Sequence, residues 1–333
     1  MLAGRRITLK QLAADLGVNT STVSRVLNDP AGVDTRWASP ATARRIIDYA
    51  QATGYRKNPH AASLRTDRSG LVGVVVPRLQ DYILATMYEG VEAAAAKRGM
   101  FAVVANSLDD PELRKLRTQQ LLDRFVEGLI LGDARINDEL VVSLREREIP
   151  TVLMNRTSEG IPSATCDDYD GGYQIGEHFA RMQYDTIDII SGKLAFSTSR
   201  DRAAGFKAAL KHAGFDTDTI RTVVRGYDAQ SGARAMEEIL ASDRRPRAVF
   251  AVNDFSAIGA LGALRAQRIR VPEEMALAGF NDTPLAAGVS LTTARSPMHE
   301  IGFEAFGLLM RVLDGEKPHS LKLKPALVVR DTA

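Results

Sequence analysis

The segment around residues 19–28 concentrates side chains that can bond the polar edges of another molecule. Val23, Val26 and Leu27 recur at helical spacing, so we expect them to face inward. The outward face then carries hydroxyl groups and one guanidinium, from Thr20, Ser21, Thr22, Ser24 and Arg25. Hydroxyls bond phosphates and base edges, and an arginine can bind the O6 and N7 atoms of one guanine. The pattern favours the recognition helix of a helix-turn-helix over the alternative, an ordinary hydroxyl-rich amphipathic helix.

Helix-capping residues predict where this helix and the helix before it begin and end. Thr8 and Gln11 have the spacing of a capping box, which predicts a first helix of roughly two turns. Gly17 can adopt the left-handed conformation that ends such a helix. Asn19 is a good N-cap for the second helix, which we expect to continue through Asn28.

A third helix and a long loop complete the predicted small domain. Ser39 as N-cap and Pro40 at the first position predict the start of the helix, and Gly54 predicts its end. Residues 29–38 form a long loop that contains Trp37, the only tryptophan. Its ring either packs on the small domain, which we favour, or contacts DNA.

Residues 58–65 carry helix-starting signals but are short. Asn58 and Pro59 can cap and start a helix of only about two turns. Such a helix needs a partner helix from a second subunit, or DNA, to become ordered. Leu64 is suited to insertion between base steps in the minor groove. The alternative interpretation of the segment is a plain interdomain linker.

From residue 71 onward, short apolar runs alternate with stretches of helical period. The apolar runs predict buried parallel strands at 71–76, 101–105, 128–131, 151–154, 187–190, 248–251 and 276–278. The intervening stretches predict helices at 81–98, 111–124, 170–182, 199–213, 229–241 and 254–267. The predicted fold class is therefore α/β, with two doubly wound parallel lobes. A crevice at the carboxyl ends of their strands is where such sheets bind ligands.

Polar residues directly follow these strands and would converge on the crevice. They are residues 78–82, Asn106, Asp133, Asn155, Asn253, Asp254, Asn281 and Asp282, joined by Arg202 at a helix start. Such groups fit a hydroxyl-rich or otherwise neutral polar ligand, because each unpaired buried donor or acceptor costs roughly 1–3 kcal/mol. Asparagine and aspartate are also common helix caps, so each residue taken singly has a structural explanation as well.

The charge distribution separates a basic head from an acidic body. Residues 1–70 hold 11 lysines and arginines against 5 acidic residues, whereas residues 71–333 hold 32 against 36. Because lysine and arginine neutralise phosphates when a protein binds nucleic acid, the asymmetry favours a head that binds a polyanion. Taken alone, a solvated basic face explains it equally well.

The sequence lacks the signals that are typical of membrane proteins, secreted proteins and metalloproteins. We find no apolar stretch long enough to span a membrane and no signal peptide, so we expect a cytoplasmic protein with no membrane partner. The 5 histidines and Cys166, which we interpret as a packing residue, lack metal-ligand spacing, so we expect no metal and no cofactor. A secreted sugar-binding protein of similar shape would need a signal peptide and would not need residues 1–65.

An enzyme is the main alternative, because doubly wound sheets commonly bind nucleotides. Residues 191–193 resemble part of a phosphate-binding loop. However, Ile187 and Leu194 occupy positions where that loop needs glycine and serine or threonine. We therefore expect no enzymatic activity.

Short motifs are distributed along nearly the whole chain. In the head they are residues 7–13, 17–18, 22–28, 54–55 and 58–59, and in the body residues 201–205, 252–254, 279–282 and 291–293. Together they resemble the LacI-type (lactose-repressor and GalR) family of transcriptional regulators. The resemblance implies a helix-turn-helix domain, a hinge helix and two α/β subdomains like those of periplasmic binding proteins. The loop around Trp37 is longer than the family pattern.

The residues and the resemblance together predict the DNA contacts. They are Thr8, Thr20, Ser21, Thr22, Ser24, Arg25, Asn28, Asn58, Ala61 and Leu64, the last on the minor-groove lever of the family. The resemblance implies that Thr20, Ser21 and Arg25 fall on base-reading positions. It also implies that Thr22 and Asn28 lie near the phosphates.

The predicted effector contacts are Tyr82, Asp133, Asn155, Arg202, Asn253, Phe255 and Asn281. The resemblance implies the three asparagines and the arginine. Tyr82 and Phe255 are candidates to stack on a sugar face, because the body has no tryptophan. Several sugar-responsive members carry aspartate at the positions of Asn155 and Asn281, and asparagine both donates and accepts where aspartate only accepts.

The predicted organisation couples ligand binding to DNA binding. The domains are residues 1–57 (DNA-binding), 58–69 (hinge) and 70–333 (effector and dimerisation), the last split into about 70–168 plus 292–320 and about 169–291 plus 321–333. The resemblance implies that the chain crosses between the lobes three times. We expect a homodimer on pseudo-palindromic double-stranded operator DNA, and no tetramer. Its expected function is repression of a carbohydrate or related catabolic operon, controlled by a sugar or sugar derivative.

Overall fold

The computed structural model of the protein describes residues 7–29, 37–56 and 68–333. The chain divides into two compact units, residues 1–69 and 70–333. In its described residues the smaller unit forms helices α1 (Leu9–Leu16), α2 (Thr20–Asn28) and α3 (Pro40–Ala52). Each helix contributes one fully buried residue to a common core, namely Leu12, Val23 and Ile46.

The capping residues of the smaller unit behave as predicted. The exposed Thr8 accepts from the Gln11 N–H at 3.2 Å and forms the full capping box. Gly17 has a φ of 67° and ends α1, and Asn19 caps α2 through the Ser21 N–H at 2.9 Å. These contacts are local, so the predicted bounds of α1 and α2 are confirmed. α3 begins as predicted after Ser39.

The larger unit is an α/β structure with two sheets. Its described strands are β1 (Leu71–Val76), β2 (Phe101–Asn106), β3 (Gly128–Leu131), β4 (Thr151–Met154), β5 (Ser163–Cys166), β6 (Ile187–Ser191), β7 (Arg221–Val224), β8 (Ala248–Ala251), β9 (Ala276–Asn281), β10 (Thr292–Arg295), β11 (Leu321–Leu323) and β12 (Ala326–Val328). Its described helices are α4 (Tyr82–Lys97), α5 (Pro111–Leu122), α6 (Glu139–Glu146), α7 (Asp168–Arg181), α8 (Ser197–His212), α9 (Ala229–Leu240), α10 (Asp254–Ala266), α11 (Pro284–Gly288) and α12 (Met298–Leu313), with a 3-10 turn at Thr217–Thr219.

The two sheets have matching strand orders and form two lobes. The first sheet has the order β11-β5-β4-β3-β1-β2, and the second has the order β12-β10-β9-β8-β6-β7. All described pairings are parallel except that of β10 with β12. The apolar runs predicted as strands are all strands. The prediction missed β5, β7, β10, β11 and β12, which are short or partly polar, and helices α6, α11 and α12.

The predicted bounds of the two lobes are wrong near the end of the chain. Of residues 292–320, which the resemblance assigns to the first lobe, α12 packs on that lobe, but β10 pairs with β9 in the second sheet. Residues 321–333 were assigned to the second lobe, but β11 pairs with β5 in the first sheet. The resemblance placed these last two crossings a few residues too early, because these short strands carry no clear apolar pattern.

Two glycines let α7 and α8 pack backbone against backbone. A Cβ on Gly172 would lie 2.1 Å from the carbonyl oxygen of Arg202, and one on Gly205 would lie 1.9 Å from that of Tyr169. These distances exclude any side chain at either position. The close approach brings Arg202, on α8, within reach of Asp168 at the start of α7.

Candidate functional sites

The side chains on the outward face of α2 differ in their exposure to solvent and in the hydrogen bonds that they already make. Four of the predicted DNA contacts on α2 are exposed, namely Thr20, Ser21, Arg25 and Asn28. Thr22 and Ser24 are half-buried on either side of Val23, so they are less accessible than predicted. The Ser21 hydroxyl lies 2.8 Å from Asn19 Oδ1 and donates to it. Thr20 and Arg25 are therefore the groups of this face most able to meet a new partner.

The loop tryptophan contacts the arginine of the recognition helix. The guanidinium carbon of Arg25 lies 4.0 Å from the ring centroid of Trp37, which is a cation–π geometry. The Trp37 side chain is 42% exposed, so the stack remains open to solvent. The favoured prediction, that Trp37 packs on its own small unit, agrees with this contact.

The predicted hinge contacts Asn58, Ala61 and Leu64 lie outside the described residues. Their DNA contacts stay predictions, as does the hinge helix to which they were assigned.

A cavity of about 440 Å³ lies between the two lobes of the larger unit. Segments that follow the carboxyl ends of strands in both sheets line it, as the crevice prediction required. Its polar and aromatic lining includes Arg78, Gln80, Asp81, Asp109, Asn155, Arg156, Lys193, Phe196, Thr198, Arg202, Tyr227, Asp228, Asn253, Phe255 and Asn281. The volume falls in the range of small-molecule sites.

Five of the seven predicted effector residues line this cavity, and two do not. The five are Asn155, Arg202, Asn253, Phe255 and Asn281. Tyr82 is 41% exposed, because it follows Asp81 by one helical position and its ring leaves the cavity. Asp133 is buried inside the first lobe, where Arg114 Nε donates to it at 2.8 Å and the Ser107 hydroxyl also donates. Asp133 therefore holds the lobe together.

Arg202 is held rigidly at the cavity wall. Its Nε donates to Asp168 Oδ1 at 2.7 Å, and its Nη1 donates to the carbonyl of Val252 at 2.8 Å. The guanidinium lies on the ring of Phe280, with 3.8 Å between its carbon and the ring centroid. Burial raises the pKa of Asp168 to about 6, although the charge of Arg202 lowers it. The arrangement orients a cation toward the cavity before any ligand arrives.

The three asparagines differ in how much bonding capacity they retain. Asn253 caps α10 through the Ser256 N–H at 3.1 Å and donates to the Tyr227 carbonyl at 2.7 Å, so its amide is already engaged. Asn281 is 2% exposed, and its Oδ1 has no hydrogen-bond partner among the described residues. Asn155 and Asn281 both have positive φ, of 70° and 115°, which asparagine tolerates better than most residues. Asn281 therefore retains a buried acceptor without a partner in the described part of the chain.

Several cavity residues escaped prediction from the sequence. Arg156 follows Asn155 directly and lines the cavity with it. Lys193, Phe196 and Thr198 come from the loop after β6 and the start of α8, and of these only Lys193 belongs to the segment that resembles part of a phosphate-binding loop. Tyr227 and Asp228, also in the lining, follow β7. The rule that ligand residues follow strands would have found them if β7 had been predicted.

Among the described residues we find neither a metal-binding cluster nor a helix that could span a membrane. Among them, no group of three or more histidine, cysteine or carboxylate side chains could hold a metal ion. Burial raises the pKa of the Cys166 thiol to about 12, as expected for a packing residue. None of the helices in the described part of the chain has the length and apolar character needed to cross a membrane.

Comparison with known proteins agrees with this organisation. The family model of the periplasmic binding protein-like domain matches residues 177–333. The HTH-type transcriptional repressor PurR of Klebsiella pneumoniae is 29% identical over 97% of this chain and 96% of its own length. The Lac repressor dimer bound to operator and the anti-inducer ONPF has a TM-score of 0.87 at 23% identity, covering 98% of this chain and 99% of that one. A complex of the transcriptional regulator CelR with cellobiose has a TM-score of 0.73 at 28% identity, covering 98% and 100%.

Proposed function

This chain belongs to the LacI-type family of transcriptional regulators, and from that premise we propose that it is a homodimeric repressor of a carbohydrate or related catabolic operon. It binds a pseudo-palindromic operator, and a small polar effector in the cavity changes its affinity for that operator. A regulator that acts on chromosomal DNA works in the cytoplasm.

One observation carries the proposal. The chain joins a helix with an exposed arginine and hydroxyl face to a separate unit with a polar cavity between two lobes. The first feature fits the edges of bases, and the second fits a small molecule. An effector that binds one arrangement of the lobes better than another shifts the population of DNA-binding molecules.

Exposed apolar residues on edge strands support a dimer. Phe101, on edge strand β2 of the first sheet, is 74% exposed, and Val103 on the same strand is 37% exposed. Val224, on the corresponding edge strand β7 of the second sheet, is 37% exposed. A second copy that covers these edges would remove apolar surface from water. A two-fold axis through such an interface presents two recognition helices to a pseudo-palindromic site.

The cavity lining favours a sugar or sugar derivative as the effector. Phe196, Tyr227 and Phe255 supply aromatic faces, and the amides and guanidiniums supply donors and acceptors for hydroxyl groups. The similar regulator CelR was solved with cellobiose. Both observations agree with control by a carbohydrate.

Selection of binding sites from a pool of random duplexes tests the DNA-binding part. We expect the purified chain to enrich a sequence with two-fold symmetry. Arg25→Ala should bind that sequence about 5- to 150-fold more weakly, because one bidentate guanine contact is worth about 1–3 kcal/mol. Arg44→Ala, which removes an exposed arginine of α3, is the matched control and should keep the selected sequence.

Two results would overturn this assignment. One is a chain that enriches no sequence from the pool. The other is an Arg25→Ala variant that selects the same sequence with unchanged affinity, because the guanidinium would then not contact the bases.

A further inference from the structure

Arg156 is a buried cation whose donors are incompletely paired. It is 6% exposed, lines the cavity and lies on the ring of Phe196, with 3.7 Å between its guanidinium carbon and the ring centroid. Its Nε and Nη1 atoms are buried and have no hydrogen-bond partner in the described part of the chain. Asp109 Oδ1 lies 3.8 Å from Nη1, and the Asp109 side chain is 35% exposed. A guanidinium in this setting is best stabilised by an anionic acceptor that enters the cavity.

The start of α8 lies beside Arg156 and adds positive potential. Phe196 is the N-cap of this helix, and no described side chain caps it. The Thr157 N–H donates to Ser197 Oγ at 2.9 Å, which joins the segment after Arg156 to the first residue of α8. Thr198, in the first turn, lines the same cavity. Uncapped N–H groups at a helix start attract negative charge.

Apart from Arg202, which is paired with Asp168, the cavity has three cations and three carboxylates among its described lining residues, and burial disfavours the charge of one of these carboxylates. Its cations are Arg78, Arg156, Lys193 and Arg202, and its carboxylates are Asp81, Asp109 and Asp228. Burial raises the pKa of Asp81, which disfavours its charged form. Asp228 is engaged as the cap of α9 through the Ser231 N–H at 2.8 Å. Lys193 is exposed and can approach a ligand from the same loop that leads to Phe196.

We propose that the effector of this chain carries one anionic group, a carboxylate or a phosphate, held by Arg156 and Lys193 at the start of α8. This rests on the proposed function, because it names the ligand class of the same cavity. The remainder of the ligand bears hydroxyl groups, since the unpaired Asn281 Oδ1 needs a donor. The sequence suggested a neutral ligand because nothing in it placed Arg156 in the cavity.

Inorganic phosphate is the first probe, titrated at constant ionic strength while the Tm of the full chain is measured. We expect a rise in Tm of about 2–4 °C once phosphate exceeds its Kd several-fold, which grows with the logarithm of the phosphate concentration. Arg156→Met should lose this rise, and Arg156→Lys should keep part of it, because lysine retains the charge. Arg181→Met, at an exposed position near the end of α7, is the control and should keep all of it.

The Arg156→Met variant should remain folded, because methionine can cover Phe196 and the change removes an incompletely paired buried charge. Its Tm without phosphate checks this. The proposal is overturned if the parent chain shows no rise in Tm with phosphate, or if Arg156→Met shows the same rise as the parent.

Isothermal titration with glucose, glucose 6-phosphate and glucuronate distinguishes the two kinds of anion. Binding of either charged sugar at least about tenfold tighter than glucose, with the difference lost in Arg156→Met, supports the proposal and identifies the anion. Glucose binding that is as tight as that of the charged sugars and unchanged in Arg156→Met overturns it. Selection of duplexes is a separate measurement, so DNA binding can stand when the anion proposal fails.

Discussion

The recognition helix and the ligand cavity place their arginines in opposite settings. Arg25 is exposed, and its described contact is the open face of Trp37. Arg202 is 4% exposed and is fixed by Asp168, by the carbonyl of Val252 and by the ring of Phe280. The same kind of side chain is therefore a solvent-exposed donor in one unit and a structural part of the cavity wall in the other.

This difference predicts that arginine substitutions in the two units affect different properties, DNA binding in one and the free energy of unfolding in the other. A guanidinium that meets bases from solvent can be removed without loss of folding, because water replaces its partners. A buried and fully paired guanidinium such as that of Arg202 cannot, because its removal leaves a buried carboxylate without a counter-charge. Substitutions in the smaller unit should therefore change DNA affinity, whereas substitutions at the cavity wall should also change the free energy of unfolding.

The largest expected effect is that of Arg202→Met. The change leaves Asp168 buried with no cation at 2.7 Å, and breaking such a pair costs about 3–5 kcal/mol. Urea unfolding of the larger unit, followed by circular dichroism, measures the loss.

Arg25→Met is the control for this prediction and should change the free energy of unfolding by no more than about 0.5 kcal/mol. Combining Arg202→Met with Asp168→Asn should recover part of the loss, because the second change removes the stranded charge. Equal losses for the two single arginine variants would contradict the comparison.

A change of pH is expected to have a smaller effect on the free energy of unfolding of the larger unit. Burial raises the pKa of Asp254 to about 6, although Thr293 Oγ1 and the Thr283 N–H donate to it at 2.6 and 2.7 Å. A carboxyl whose pKa is raised in the folded state adds stability that is full below its unfolded pKa and is lost as pH rises through about 6. The larger unit should therefore gain about 1.4 kcal/mol from this group between about pH 7.5 and pH 5.

Asp254→Asn isolates this contribution, because an amide does not titrate. Urea unfolding near pH 5 and near pH 7.5 should give a smaller difference for the variant than for the parent. The described part of the smaller unit buries no carboxylate, so its melting should lack this gain. A parent chain whose larger unit gains nothing toward pH 5, or gains as much as the variant, would refute the assignment to Asp254.

The smaller unit could be predicted closely because its signals are local. The capping box at Thr8, the left-handed Gly17 and the cap at Asn19 act within a few residues, and the structure has each of them. The stack of Trp37 on Arg25 joins a loop to a helix, so periodicity could limit it only to two alternatives.

The cavity was predicted in part because it is assembled from distant segments. The rule that ligands bind after parallel strands found Asn155 and Asn281, each after an apolar run. It could not tell that Asp133 turns into the lobe toward Arg114, because that depends on a partner from another helix. It also missed Tyr227, because β7 has the sequence of a half-exposed edge strand.

The smallest expected effect is that of Trp37→Ala on operator affinity. The ring limits the conformations of Arg25 at 4.0 Å, and an exposed cation–π contact is worth about 0.5–1 kcal/mol. Loss of this preorganisation should weaken binding about 2- to 5-fold, and Trp37→Phe should recover most of it. Titration of labelled operator measures the change.

A double-mutant cycle decides whether the ring acts through Arg25. In the Arg25→Ala background, Trp37→Ala should have no further effect, because the group that the ring orients is gone. An equal loss in both backgrounds would mean that Trp37 contacts DNA directly. Tighter operator binding by Trp37→Ala would mean that the ring covers Arg25 and must be displaced. In either case the ring would not act by orienting the exposed arginine of the recognition helix.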